Sequence, residues 1–252
     1  MLHALIFDVD GTLADTEAAH CAAFNQAFSQ CGLDWHWDDA LYTELLSVTG
    51  GRERIVHYMK TAQPDLNEFS AMDPQGLVDH LFQLKTIAYV QQVNDGALNL
   101  RPGVLKLIGE ALDQGLKLAM ATTTSPVNIA ALLRHAMGAD WRTHFSAIGD
   151  GTSVSIKKPH PQVYLDVLAT LELPASQCLA LEDSSNGLRA ASAAGLATLI
   201  TPTRYTAKDD FSAAMRVTSD LEQVDLAQLR TWHAQSQQAK SSLNPTDNPS
   251  CP

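Results

Sequence analysis

Two aspartates stand two residues apart in Asp8-Val9-Asp10-Gly11-Thr12, directly after the apolar run Leu2 to Phe7. A pair of carboxylates at the mouth of a strand suits metal binding or covalent catalysis. As a nucleophile, a carboxylate forms an acyl phosphate that water cleaves in a second step, while its neighbour shuttles the proton. A turn rich in capping Asp has the same composition, so further residues must discriminate. Glu182-Asp183 add a second acidic pair at the end of another apolar run. Hard oxygen ligands from separate strands are what Mg²⁺ accepts, and such a cation offsets the repulsion between a carboxylate and a phosphate dianion. Helix capping by Asp183 or Ser184 is the plainer alternative. Lys158, in Lys157-Lys158-Pro159, offers a point charge to a phosphoryl oxygen or an acylated carboxylate. Thr122 heads Thr122-Thr123-Thr124-Ser125-Pro126, where hydroxyls and the free N–H groups of a following helix suit phosphate. Solvation of the lysine, and capping by Thr and Ser, are the corresponding structural roles.

Each of these groups ends a short apolar run, which predicts how they are brought together. Leu2 to Phe7, Leu116 to Ala121, Cys178 to Leu181 and, more weakly, Phe145 to Ile148 read as buried strands that stop at polar turns. Helical patterning over Gly103 to Gln114, Pro126 to Met137, Pro161 to Leu171 and Gly187 to Ala194 alternates with them. That alternation predicts an α/β fold with a doubly wound parallel sheet, whose ligands sit beyond the carboxyl ends of the strands. The polar turns then form one site.

Between Thr16 and Val93 the alternation breaks into helical patterns at Glu17 to Gln30, Asp38 to Leu46, Arg52 to Thr61 and Pro74 to Gln92. The expected organisation is a core of residues 1–15 and 94–234, a helical insertion over 16–93 and a mobile Gln-, Ser- and Asn-rich tail over 235–252. Hinges are expected near Ala14 to Thr16 and Val93 to Gly96.

A formal net charge of -11 is the wrong sign for a nucleic-acid partner, and any phosphate site must be locally positive. No apolar run approaches the ~20 residues of a membrane span. Met1-Leu2-His3 leads into the first strand without a basic or cleavable leader, and the four cysteines form no Cys-x-x-Cys pair. The expectation is a cytoplasmic monomer acting on a small molecule.

Taken together and in order, Asp8-Val9-Asp10-Gly11-Thr12, Thr122, Lys158-Pro159 and Glu182-Asp183 resemble the motifs of haloacid dehalogenase-type phosphatases. The resemblance implies Asp8 as nucleophile and Asp10 as general acid/base, with Thr122 and Lys158 in the catalytic set. It also implies Mg²⁺ held by the Asp8 carboxylate, the Asp10 backbone carbonyl and Asp183, with Glu182 in support. The insertion resembles the small cap of the β-phosphoglucomutase-like branch, a pattern that Asp15-Thr16-Glu17-Ala18-Ala19-His20 continues. Within that branch, Asp34-Trp35-His36-Trp37, Thr49-Gly50-Gly51-Arg52-Glu53-Arg54, Lys85-Thr86 and Ala121 to Ser125 resemble the CbbY-type xylulose-1,5-bisphosphate phosphatases, whose substrate is a misfire product and inhibitor of Rubisco.

By that resemblance, Asp10, Glu17, Gly50, Gly51, Arg52, Glu53, Arg54, Lys85, Thr123, Thr124, Ser125 and Asn128 contact a sugar bisphosphate, with Arg52 and Lys85 on the distal phosphate. Phe82-Gln83-Leu84 before Lys85 departs from the His-Arg that family members carry. Trp35 and Trp37 are expected to pack the cap on the core, and His20 to face the hinge. A β-phosphoglucomutase uses the same motifs and returns phosphate to the sugar. A two-component receiver combines similar residues as a phosphorylated switch, without a helical insertion after its first acid.

Overall fold

The apolar runs form strands buried along almost their whole length. In the computed structural model, which describes residues 1–62, 73–96 and 98–243, six strands make one parallel sheet. They are β1 (Ala4–Phe7), β2 (Lys117–Ala121), β3 (Ala147–Gly149), β4 (Cys178–Glu182), β5 (Ala197–Ile200) and β6 (Arg216–Val217), in the order β3-β2-β1-β4-β5-β6. The last two strands escaped the sequence analysis. Both residues of β6 are exposed, so it carries no burial pattern to detect.

Alternate side chains of each strand enter opposite layers. Leu5, Phe7, Leu118, Met120, Leu179 and Leu181 face one cluster, while Ala4, Ile6, Ala119, Ala121 and Ala180 face the other. Helices α5 (Val104–Asp113), α6 (Pro126–Met137), α7 (Gln162–Leu171) and α8 (Ser185–Ala193) connect the strands. Ser125 caps α6 by accepting the Asn128 N–H, with Pro126 at the first turn, and Ser184 caps α8 by accepting the Gly187 N–H. Helix α9 (Leu226–Leu243) runs past Gln235 into the segment expected to be a mobile tail, and residues 244–252 lie outside the described residues. Leu226 and Leu229 anchor this helix in the core, which composition averaged over the segment does not register.

The insertion forms α1 (Glu17–Gln30), α2 (Asp39–Leu45), α3 (Gly51–Ala62) and α4 (Pro74–Asn94), close to the expected ranges. These helices carry their own cluster, built on Phe24, Phe28, Trp35, Trp37, Tyr42, Ile55 and Leu81. Trp37 lies 4.7 Å from the Phe24 ring and 4.9 Å from the Phe28 ring, so Trp35 and Trp37 organise the helical layer itself rather than fastening it to the sheet. The two chain connections to the sheet run side by side, bridged at Ala14 and Leu100.

Candidate active site

Strand register assembles the acidic groups. Phe7 pairs with Met120 on one side and Leu181 on the other, so Asp8 emerges level with the ends of β2 and β4. The Asp8 N–H donates to the Leu181 carbonyl at 2.9 Å. Gly11 has φ +81°, and a Cβ there would run into the Asp183 carboxylate, so only glycine lets the first turn close against β4.

Lys158 is the hub of the buried charges. Its Nζ donates to Asp8 Oδ1 at 2.7 Å, Glu182 Oε1 at 2.6 Å and the Ala121 carbonyl at 2.7 Å. Tyr164 adds a hydroxyl donor to Glu182 Oε1 at 2.6 Å, and the Asp183 N–H reaches Glu182 Oε2 at 3.3 Å. Lys158 consumes one oxygen of Asp8. The other accepts no hydrogen bond from the described residues, and Asp8 opens to the cleft. Burial pushes the Asp8 carboxyl up to about 8, and the charges of Glu182 and Asp10 add to burial against the pull of Lys158. Burial and then the neighbouring Asp8 and Glu182 carry Asp183 well above the ordinary carboxylate range. Burial opposes the charge on Lys158, yet Asp8 and Glu182 outweigh it and hold the ammonium protonated.

Ligand oxygens of Asp8, Glu182 and Asp183 lie within 4.8 Å of one another. Three carboxylates are gathered around one lysine, and burial followed by their mutual repulsion raises the proton affinity of Asp8 and Asp183. An all-oxygen set with surplus charge fits a hard divalent cation. The Asp10 carboxylate is outside this group. Its Oδ1 accepts from Thr16 Oγ1 at 2.8 Å and faces His20 Nε2 at 3.1 Å.

His20 stacks on Tyr89 at 4.1 Å, and its Nδ1 lies 2.9 Å from Lys85 Nζ. An ammonium at Lys85 donates to Nδ1, which assigns the imidazole proton to Nε2, pointing at Asp10. Burial lowers Lys85 to about 8. Burial and the Lys85 charge lower His20, keeping the ring neutral. Burial would raise Asp10, but His20, the Thr16 hydroxyl and Lys85 together hold it well below the usual carboxylate range.

A cleft of about 510 Å³ separates the sheet edge from α1–α4. Asp8, Asp10, Thr122, Lys158 and Asp183 line its floor, and Thr123, Thr124, Ser125 and Asn128 line one wall. Glu17, Gly50, Gly51, Arg54 and Lys85 face it from the helical layer. The Asn128 side-chain oxygen is buried without a partner among the described residues, an acceptor a hydroxyl-bearing ligand can satisfy. Arg54 is anchored to the Leu45 carbonyl at 3.1 Å and the Val48 carbonyl at 3.3 Å. It also donates to the Tyr42 hydroxyl at 3.0 Å, and that hydroxyl donates to Glu17 Oε2 at 2.7 Å.

Two expected site residues stand elsewhere. Arg52 is half exposed, pairs with Asp79 at 2.7 Å and covers the Phe82 ring, outside the cleft lining. Glu53 pairs with Lys157 at 2.8 Å, also outside it. Glu182 keeps its expected place in the acidic group, outside the cleft lining, where it accepts from Lys158 and Tyr164. We expect Arg52→Ala to change KM less than about twofold, because an exposed ion pair is worth only about 0–1 kcal/mol. A rise of tenfold or more in steady-state assays would restore Arg52 to the site.

The structure also brings in residues that motif reading passed over. Tyr42 orients Glu17 and Arg54, Tyr164 orients Glu182, and Arg189, Arg204 and Lys208 add cations to the cleft. Arg101 clasps the carbonyls of Gly11, Thr201, Pro202 and Ser219, tying the first turn to the loop after β5. Tyr42, Tyr164 and Arg101 have no characteristic neighbour in sequence; each is defined by partners distant along the chain.

Residues 2–195 match the haloacid dehalogenase-like hydrolase family. The plasmid CbbY protein of Cupriavidus necator is 50% identical over 248 residues, covering 92% of this chain and 97% of that protein. The crystal structure of CbbY from Rhodobacter sphaeroides with phosphate superposes with a TM-score of 0.85 at 42% identity, covering 91% of this chain and all of the other. A mutant of that CbbY in complex with xylulose 1,5-bisphosphate gives a TM-score of 0.84 at 41% identity over 90% of this chain and 98% of the other. With its motifs gathered at one sheet edge under a helical layer, this chain belongs to the haloacid dehalogenase-like hydrolases, among the CbbY proteins.

Proposed function

We propose that this protein is a Mg²⁺-dependent phosphatase that converts xylulose 1,5-bisphosphate to xylulose 5-phosphate, thereby removing a Rubisco inhibitor in carbon fixation. The observation that carries this reading is the Asp8 carboxylate, pinned through one oxygen by Lys158 and open to a cation-lined cleft through the other. The sugar bisphosphate held by the related CbbY variant supports the choice of substrate.

The free Asp8 oxygen attacks phosphorus, and the bond to the sugar oxygen breaks as Asp10 delivers a proton to it. Water, deprotonated by Asp10, then attacks the aspartyl-phosphate, releasing inorganic phosphate and restoring Asp8. Asp8, Asp183 and the Asp10 backbone carbonyl, with Glu182 in support, are the groups to hold Mg²⁺, which supplies charge neutralisation between nucleophile and phosphate. Thr122 and Lys158 bind the transferring phosphoryl group.

Arg54 and Lys85, which line the cleft, take the distal phosphate, while Arg52 is engaged with Asp79 outside the lining. Glu17, Gly50, Gly51, Thr123, Thr124, Ser125 and Asn128 surround the sugar. Helices α1–α4, over residues 16–93, act as a cap pivoting at residues 14–16 and 93–96, and shield the nucleophile from water until substrate is bound. The proposed working unit is a monomer. Cys21, Cys31 and Cys178 are free thiols, which suits the cytoplasm, while Cys251 lies outside the described residues. No helix among the described residues is long and apolar enough to cross a membrane.

Phosphate release from xylulose 1,5-bisphosphate, with ribulose 1,5-bisphosphate and β-glucose 1-phosphate as comparators, tests the reading. Release confined to the xylulose compound is the expected result. Appearance of glucose 6-phosphate would instead mark a mutase, and no release from any of the three would overturn the assignment of the cap.

Cation binding has its own signature in stability. With Mg²⁺ at a hundredfold excess over its Kd, linkage predicts about 2.7 kcal/mol of added stability, a shift of several degrees in Tm. Asp183→Asn should abolish that shift in a thermal-melt titration. A Tm that ignores Mg²⁺ in the unaltered protein would remove the cation from the proposal.

A further inference from the structure

The loop after β5 reaches across the cleft into the helical layer. It is folded tightly, with the Thr203 N–H donating to Thr206 Oγ1 at 2.9 Å and the Tyr205 N–H to Thr203 Oγ1 at 3.2 Å. This turn sends the Tyr205 ring away from the sheet and into the aromatic cluster of α1–α4, where it is only 7% exposed. Every other buried member of that cluster lies between Cys21 and Leu81.

The ring meets Tyr42 edge-on, with centroids 6.0 Å apart at 83°. Tyr42 is the residue whose hydroxyl holds both Glu17 and Arg54 at the cleft. On the hinge side the two layers share a buried cluster, with Ala19, Ala23, Ala88, Tyr89 and Val93 packed among the sheet residues, whereas around α2 and α3 the other links are polar and lie toward the surface. Lys157 reaches Glu53 at 2.8 Å, and Asn186 reaches Thr49 at 3.2 Å. Screened surface contacts of this kind contribute little, whereas a buried aromatic edge against a ring fixes position. The Tyr205 hydroxyl donates to Asp39 Oδ1 at 3.2 Å, at a carboxylate that is itself mostly solvated.

We propose that Tyr205 is a positioning residue: seated on Tyr42 when the helical layer covers the sheet edge, its ring fixes the Glu17 carboxylate and the Arg54 guanidinium for substrate. The nucleophile, its lysine and the proton shuttle are untouched by it. It therefore sets affinity for the cap-engaged part of the ligand rather than the rate of phosphoryl transfer. The kinetic part of this inference rests on the sugar-bisphosphate reading above.

The test combines kinetics with hydrogen exchange on the full chain. Tyr205→Ala should raise KM for xylulose 1,5-bisphosphate about tenfold, the equivalent of one lost orienting contact, with kcat changed less than about threefold. Tyr205→Phe, which keeps the ring, should restore KM. Tyr42→Phe combined with Tyr205→Ala should cost less than the sum of the two, because both act through the Tyr42 hydroxyl. Amides of α2 should exchange faster in Tyr205→Ala, while those of β4 stay protected.

Unchanged KM with unchanged exchange in α2, or full additivity with Tyr42→Phe, overturns the proposal. So does a fall in kcat with KM unaltered. If the unaltered protein releases no phosphate from the bisphosphate, the substrate reading fails instead, and the exchange measurement alone decides the role of Tyr205.

Discussion

Asp8→Asn is expected to reduce phosphate release to background, a loss of the order of 10⁶, as for removal of other covalent nucleophiles. The amide keeps an oxygen for Lys158, which also retains Glu182 at 2.6 Å and the Ala121 carbonyl at 2.7 Å, so the hub survives. Stability should not suffer. Burial raises the Asp8 carboxyl to about 8, so above the unfolded value near 3.8 the folded protein carries a penalty for the charged form. A neutral asparagine has no such penalty, and the cation-free variant should melt at or above the unaltered protein. Turnover above about 1% in a variant so folded would transfer the nucleophilic role to another group; a discontinuous phosphate assay at high enzyme concentration settles the point.

Asp10→Asn should lower turnover of the sugar bisphosphate by about 10²–10⁴, the usual contribution of a positioned acid/base. Asn can still meet the Thr16 hydroxyl and the His20 ring, so the loss reports proton transfer rather than collapse of the site. In the resting geometry Asp10 is firmly ionised, the state needed to activate water. Approach of a phosphate dianion raises its proton affinity by like charge, which lets the same group act as the acid in the first step.

The leaving group separates the two steps. A phenolate such as p-nitrophenolate departs without a proton, so with p-nitrophenyl phosphate the variant should form the aspartyl-phosphate at near-normal rate and stall there. Rapid-mixing experiments should show a burst of one equivalent followed by slow turnover. Equal slowing for both substrates, with no burst, would assign the proton to another residue.

The make-up of the floor was legible because it is local. Apolar runs of strand length ending in Asp8, Thr122 and Glu182-Asp183 identify both the sheet and the edge where the groups meet, since parallel strands end together. Capping signals such as Ser125-Pro126 set helix starts in the same direct way. Side-chain direction was not legible to the same degree. Arg52 and Arg54 are two residues apart on α3, so they point about 200° apart around the helix, one to Asp79 and solvent, the other to Tyr42 and the cleft. Glu182 and Asp183 are adjacent at the end of an extended strand and diverge likewise, the first to Lys158, the second to the cleft.

What the amino-acid order determined alone is therefore the fold class, the acidic residues gathered at the strand ends and the family, all encoded in short-range patterns. Only the tertiary structure decided which cations line the cleft, which acid braces Lys158 outside the lining, and that Tyr205 touches Tyr42. Those outcomes depend on helix phase and on contacts between different segments of the chain, where spacing in sequence carries no information about proximity.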